Sequence, residues 1–283
     1  MARCDLCPHH CVLKEGQTGF CHQRMNKEGS IVLKDYGAIT SLSLDPIEKK
    51  PLYHFYPETQ MLSVGSYGCN MKCPFCQNYT ISQDRGSSIQ VHTTPKKLVE
   101  VALDLKKEGN IGIAFTYNEP LISYEFIYDT FVLCKKHDLK TVIVSNGMIE
   151  EKYIKELSPL VDAWNIDLKG FREDIYKKLS GDLETVKKSI QIASSSHLEV
   201  TSLIVPGIND SLKDMEEEAK WLASTDPNIV LHITRYFPEY HYHESPTSIE
   251  LINQMIEVAK KYLKNVYSCL LYTSPSPRDY AAS

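Results

Sequence analysis

The chain has 283 residues, 42% of them hydrophobic, and a formal net charge of −5, the make-up of a folded globular protein rather than a disordered or fibrous one. That mildly acidic balance argues against broad nucleic-acid or membrane-surface binding, and no run approaches the ~20 apolar residues of a membrane span. The opening MARCDLCPHHC has no apolar signal-peptide core, which predicts a cytoplasmic protein whose nine cysteines serve metals rather than disulfides.

In chain order, residues 1–60 read as a Cys- and Gly-punctuated N-terminal module with short strand-like runs such as SIVLKDYGAITSLSLDP. Residues 61–267 then alternate between two periodicities. MLSVGSY, IGIAFTY, KTVIVSNG, AWNIDLKG, LEVTSLIVPG and NIVLHITRYFP are strand patterns. Between and after them, TPKKLVEVALDLKKEG, LISYEFIYDTFVLCKKH, EEKYIKELSPL, LETVKKSIQIASSS, SLKDMEEEAKWLAST and SIELINQMIEVAKKYL place apolar residues at helical spacing. The first of these helices opens on Thr-Pro and closes on Gly. Strands alternating with helices predict parallel βα units in an α/β fold, whose ligands sit at the C-terminal strand ends. Those ends read SYGCN, TYNEP, SNG, DLKG, VPGIND and RYFPEY, polar or Gly/Pro-bearing in each case, and six in register suggest one shared site. The tail CLLYTSPSPRD, Cys269 to Asp279, matches a translated sequencing adapter, so residues 268–283 are expected to replace a natural C-terminus and Cys269 is set aside.

After the first strand, GCNMKCPFCQN carries Cys69, Cys73 and Cys76 with the spacing CxxxCxxC and no fourth cysteine nearby. Thiolates suit zinc and iron–sulfur clusters, but a closed zinc site wants four protein ligands. A distant fourth ligand, Cys134 or a histidine, would make the chain a zinc-binding interaction scaffold; Cys134 in FVLCKKH instead reads as a core residue on an apolar helix face. The N-terminal CDLCPHHCVLKEGQTGFC offers Cys4, Cys7, Cys11 and Cys21, enough for a closed zinc site or a second iron–sulfur cluster, with His9, His10 and His22 close by. In RYFPEYHYHE, Arg235, Tyr236 and Tyr240 are substrate-pocket candidates at the sixth strand's end.

The CxxxCxxC loop, followed one βα unit later by TYNEP, resembles the radical S-adenosylmethionine (SAM) superfamily. The resemblance covers residues ~60 to 267 and implies a partial (β/α)6 TIM-like barrel. It implies a [4Fe–4S] cluster on Cys69, Cys73 and Cys76, with the open iron holding SAM. Reductive cleavage would yield methionine and a 5′-deoxyadenosyl radical that abstracts hydrogen from a substrate, with an electron donor such as flavodoxin or ferredoxin. Residue by residue, Phe75 would lie near adenine, Asn118 and Glu119 at the SAM amino group, and Ser145 and Asn146 in the third-strand contact. Asp167 and Lys169 would lie on the carboxylate or ribose side, with Val205 and Asn209 in the fifth-strand adenine segment. Pyruvate formate-lyase activases carry an aspartate where Val144 stands here, which argues against a cation at Asp167. The N-terminal cysteines, TYNEP, VPGIND and RYFPEYHYHESPTS together resemble the radical SAM proteins of the AmmeMemoRadiSam system, named as pyruvate formate-lyase activase homologues. That narrower likeness implies AmmeMemo partner proteins and a choice among glycyl-radical-enzyme activation and modification of a small molecule, peptide or partner protein. RNA modification lacks a basic footprint.

Overall fold

The computed structural model describes residues 1–269, so residues 270–283 of the adapter-like tail lie outside the described residues. An eight-stranded sheet forms the centre. Its strands are β1 (Ser41–Pro46), β2 (Gln60–Gly65), β3 (Asn110–Phe115), β4 (Lys140–Ser145), β5 (Ala163–Asp167), β6 (His197–Ile204), β7 (Val230–Arg235) and β8 (Asn265–Cys269), neighbours in that order. β2 through β8 run parallel, and β1 pairs antiparallel with β2 along one edge. The fold is thus α/β with a mostly parallel, open sheet, as the alternating pattern predicts. Each strand from β2 to β7 is buried along nearly its whole length, the signature of a parallel sheet covered on both faces.

The helices are α1 (Pro95–Asp104), α2 (Tyr124–Lys136), α3 (Glu151–Leu157), α4 (Leu183–Ala193), α5 (Leu212–Thr225) and α6 (Ile249–Ala259). α1 begins as its Thr-Pro signal predicts: Thr94 accepts from the Lys97 amide, Pro95 takes the first turn, and Gly109 at φ 89° ends the following 3-10 turn. Asp182, Ser211 and Ser248 cap α4, α5 and α6 in the same way. α1 turns Leu98, Val99 and Ala102 inward and α6 turns Ile252, Met255 and Ala259 inward, closing the sheet's faces.

Two strands lie outside the six expected. β1 comes from the N-terminal segment and β8 from the chain's last described residues. Cys269, set aside on the sequence, is buried in β8 opposite Thr234. The N-terminal segment also forms the hairpin Arg24–Lys27/Ser30–Leu33 and shares the main core, since Cys4 and Leu6 pack in one cluster with Met71, Cys73 and Phe75.

At the N-terminal ends of the strands, Glu199 on β6 is fully buried. It accepts from the Tyr53 and His54 amides at 2.9 and 2.8 Å and bonds the rings of His197 and His232. His232 in turn meets the Cys269 thiol at 3.1 Å. Burial alone would push the Glu199 carboxyl up, but the bonds from His197, His232 and the two amides outweigh it and hold the carboxyl down to about 2. A carboxyl lowered from an ordinary 4.5 stabilises the fold above pH 4.5 and loses that contribution as pH falls toward 2, by about 3 kcal/mol at 1.36 kcal/mol per pH unit. Thermal unfolding of the wild type and Glu199→Gln should therefore differ most near neutrality and converge below pH 4.5. A difference that ignores pH would show the charge to be irrelevant.

Candidate active site

β2 ends at Gly65, whose missing side chain is required: a Cβ there would stand 2.8 Å from the ring of Tyr117, which itself holds a left-handed φ of 74°. The loop that follows brings Cys69, Cys73 and Cys76 to one wall of a cavity of about 220 Å³. The opposite walls come from the ends of five further strands: Asn118 and Glu119 after β3, Ser145 and Asn146 at β4, Asp167 and Lys169 at β5, Thr201 and Leu203 on β6, and Thr234 and Arg235 on β7. Phe75 lines the same space, as does Val144. Five of the six strand ends marked out in the sequence converge there; from the sixth, VPGIND, no residue lines the cavity.

Glu119 is the organising group. It is 2% exposed; Oε1 accepts from the Leu121 amide at 2.9 Å and the Ser145 hydroxyl at 2.8 Å, and Oε2 accepts from the Asn146 amide at 2.8 Å. Burial pushes its carboxyl up to about 7 against those three donors. The Asn146 side chain reaches Cys69 Sγ at 3.6 Å and Asn70 at 2.9 Å. Lys169 Nζ lies 3.1 Å from Asp167 Oδ2. Burial opposes the Lys169 charge, but Asp167 and then Cys73 outweigh it and raise the ammonium above its ordinary range. Burial pushes the Cys73 thiol up to about 12 and shifts Cys69 and Cys76 in the same direction. Metal binding would relieve that cost, because the ligand is the thiolate.

Asn118 lines the cavity and also has a bracing task. Its Oδ1 accepts from the Ser66 amide and its Nδ2 donates to the Tyr67 and Gly68 carbonyls, so the side chain braces the cysteine loop. Val205 and Asn209 stand behind the cavity wall: Asn209 accepts from the Val205 amide at 2.7 Å and donates to the Leu203 carbonyl at 2.8 Å. Tyr236 is fully buried, its hydroxyl donating to the Tyr242 carbonyl, and Tyr240 stacks on Tyr79 at 4.7 Å. Of the three substrate-pocket candidates only Arg235 reaches the cavity. Cys134 is a core residue of α2, as expected. Sequence reasoning missed Asn70, which bridges Asn146 and the Met148 carbonyl, although it stands beside the first cysteine of the loop. It also missed Gln23, which ties the N-terminal segment to the Tyr67 carbonyl and Ser66.

The Radical SAM superfamily model matches residues 63–222, more than half of the chain. This chain belongs to the radical SAM superfamily. An uncharacterized protein of Methanocaldococcus jannaschii is 41% identical over 271 residues, 92% of this chain and 80% of that protein. The pyruvate formate-lyase 1-activating enzyme of Escherichia coli K12 is 27% identical over 149 residues, 50% of this chain and 60% of that enzyme. Among solved structures, Streptococcus suis SuiB bound to S-adenosylmethionine shares the fold at a TM-score of 0.60, with 13% identity over 75% of this chain and 52% of that one. Radical SAM membership implies a [4Fe–4S] cluster and SAM, and the donor set suits them: three soft thiols, Cys73 buried and Cys69 and Cys76 half-buried, face a cavity that also holds the buried Glu119 carboxylate and the half-buried Lys169 ammonium. Among the described residues no group of three or more His, Cys, Asp or Glu stands ready to hold a metal ion as placed. A cluster holds its thiolates farther apart than an ion does, so the radical SAM loop does not need that tighter geometry. No helix among the described residues is long and apolar enough to cross a membrane.

Proposed function

We propose that this chain is a hydrogen-abstracting radical SAM enzyme in which Cys69, Cys73 and Cys76 ligate the cluster and the surrounding strand ends hold SAM. The observation that supports it most is the convergence of those thiols, Glu119 and the Asp167–Lys169 pair on one cavity. When bound and reduced, the cluster supplies the electron that splits SAM into methionine and a 5′-deoxyadenosyl radical. The protein's own work is to bind, orient and exclude water.

Glu119 has a use for its charge. A carboxylate offers about four lone-pair directions; three are filled by the loop, and the remaining one receives the SAM ammonium. Ser145 and Asn146 fix the carboxylate's orientation, and Asn118 acts one step back by bracing the cysteine loop. Lys169, charged and half-buried, receives the SAM carboxylate, and Asp167 holds it in place and faces the ribose. Phe75 packs near the adenine, with Val205 and Asn209 shaping the wall behind it. Met71, Val144 and Leu203 keep that part of the cavity apolar. Arg235 marks the substrate side.

The likeness to a pyruvate formate-lyase activating enzyme supports a glycine on a partner protein as the hydrogen donor, and modification of a small molecule or peptide is the competing outcome. Residues 61–267 form the catalytic core, and residues 1–60 a module attached to it. A cytoplasmic flavodoxin or ferredoxin delivers the electron, and proteins of the AmmeMemo type are the partners. Anaerobic reconstitution with iron and sulfide, then dithionite and SAM, should give 5′-deoxyadenosine. Its absence at full iron loading would sink the reading. A glycine-centred electron paramagnetic resonance signal on an added partner would separate the activating role from small-molecule chemistry.

A further inference from the structure

The N-terminal cysteines converge as well. Cys4, Cys7, Cys11 and Cys21 line one small cavity of about 10 Å³, together with His9, Phe20 and Arg24. Cys4, Cys7 and Cys21 are buried, and Cys11 is half-buried. The Phe20 amide donates to Cys11 Sγ at 3.4 Å. Such an N–H donor stabilises a thiolate more than a thiol.

Arg24 adds an independent sign. It is 7% exposed and its guanidinium grips Glu125 on α2 through both terminal nitrogens, yet its buried Nε has no hydrogen-bond partner among the described residues. A buried donor left unmade costs about 1–3 kcal/mol. It lies in the wall of the four-thiol cavity, where a metal-bound thiolate would accept from it.

The geometry points to a single-metal tetrathiolate site at Cys4, Cys7, Cys11 and Cys21, filled by zinc, with Arg24 Nε as a supporting donor to the sulfurs. Four thiolates and no open position make a structural site rather than a catalytic one. As placed the sulfurs do not stand in coordinating geometry, so filling the site requires them to draw together around the ion.

The site is also built into the neighbouring loop. Gly68, at φ 80°, is pressed against the Cys21 carbonyl, which would lie 2.3 Å from any Cβ there. His9 Nε2 meets the Asn70 carbonyl at 2.8 Å. Both contacts flank Cys69, so zinc at the module holds the cysteine loop's backbone; this second consequence alone rests on the cluster proposed at Cys69, Cys73 and Cys76.

The test starts with the full chain carrying Cys69, Cys73 and Cys76 all changed to Ala, which removes the proposed cluster. Elemental analysis should still find a single zinc per chain. Cobalt exchanged for it should give thiolate charge-transfer bands and the strong visible absorption of a tetrahedral ion. Both signals should vanish in Cys7→Ser/Cys21→Ser. Arg24→Lys keeps the positive charge but lacks Nε, and should hold zinc about 10–100-fold more weakly against a chelator with the cobalt spectrum unchanged in form. Zinc absent from the triple variant, zinc that survives Cys7→Ser/Cys21→Ser, or iron with acid-labile sulfide that follows the N-terminal cysteines would each overturn the site. Unchanged zinc affinity in Arg24→Lys would remove Arg24 from it. With the site upheld, lower iron uptake at Cys69–Cys76 in Cys7→Ser/Cys21→Ser supports the coupling, and equal uptake overturns it.

Discussion

Cys73→Ala should abolish 5′-deoxyadenosine formation while leaving the chain folded. Cys73 is buried and faces the cavity beside Cys76; burial pushes its thiol up, and Lys169 offsets part of that. Two thiolates cannot retain what three hold, because each ligand is a deprotonated sulfur that no other cavity residue can replace. Among the residues lining the cavity, these three are the cysteines. Cys69→Ala and Cys76→Ala should behave alike. The useful control is Cys134→Ala: that thiol is equally buried but packed in α2, away from the cavity, so its loss should lower stability by a small margin and leave product formation intact. Iron content, the visible spectrum and 5′-deoxyadenosine read by chromatography decide the matter. Product persisting in Cys73→Ala would show that Cys73 does not ligate the cluster that cleaves SAM and would overturn the proposed ligand set.

The fold was legible because parallel strands buried on both faces leave continuous apolar runs, and amphipathic helices leave a 3.6-residue period. IGIAFTY and KTVIVSNG could hardly be anything else. What escaped was decided at long range. SLSLDP reads as a loose strand in a cysteine module, and its place in the sheet depends on pairing with Gln60–Gly65. Asn265–Cys269 was hidden by the adapter-like tail that overlaps it. The site divides along the same line. Cysteine spacing and the polar strand ends put Glu119, Ser145, Asn146, Asp167, Lys169 and Arg235 together, because strand ends are fixed by the sheet. Tyr236, just past the end of β7, is fully buried and Tyr240 stacks on Tyr79, so neither lines the cavity that Arg235 reaches. The bracing bonds of Asn118 and Asn209 could not be read from the sequence. An amide in an irregular loop turns toward whichever backbone groups lack partners, and those groups belong to other loops.

Glu119→Gln tests the site from its other side, and two losses should appear together. The substitution keeps size and shape, so nothing is changed but charge and donor pattern. Oε1 accepts two bonds and Oε2 accepts one from the Asn146 amide. Whichever way the glutamine amide is turned, its NH₂ must face a backbone N–H. The better choice keeps the oxygen toward Leu121 and Ser145 and sets the NH₂ against Asn146, leaving a buried donor unmet at a cost of about 1–3 kcal/mol. Thermal unfolding should register that directly. The second loss is in SAM binding. An ammonium meeting a neutral amide in place of a carboxylate forfeits a charge-assisted bond worth about 1.5–3 kcal/mol, roughly 10–100-fold in Kd. Calorimetry with SAM on the reconstituted protein separates the two effects, because the stability loss is present without SAM and the affinity loss is not. Glu119→Gln that unfolds earlier yet binds SAM as tightly as wild type would reduce Glu119 to a brace between the loops after β3 and β4. The ammonium would then have to be held elsewhere in the cavity, with Asp167 the remaining carboxylate able to do it.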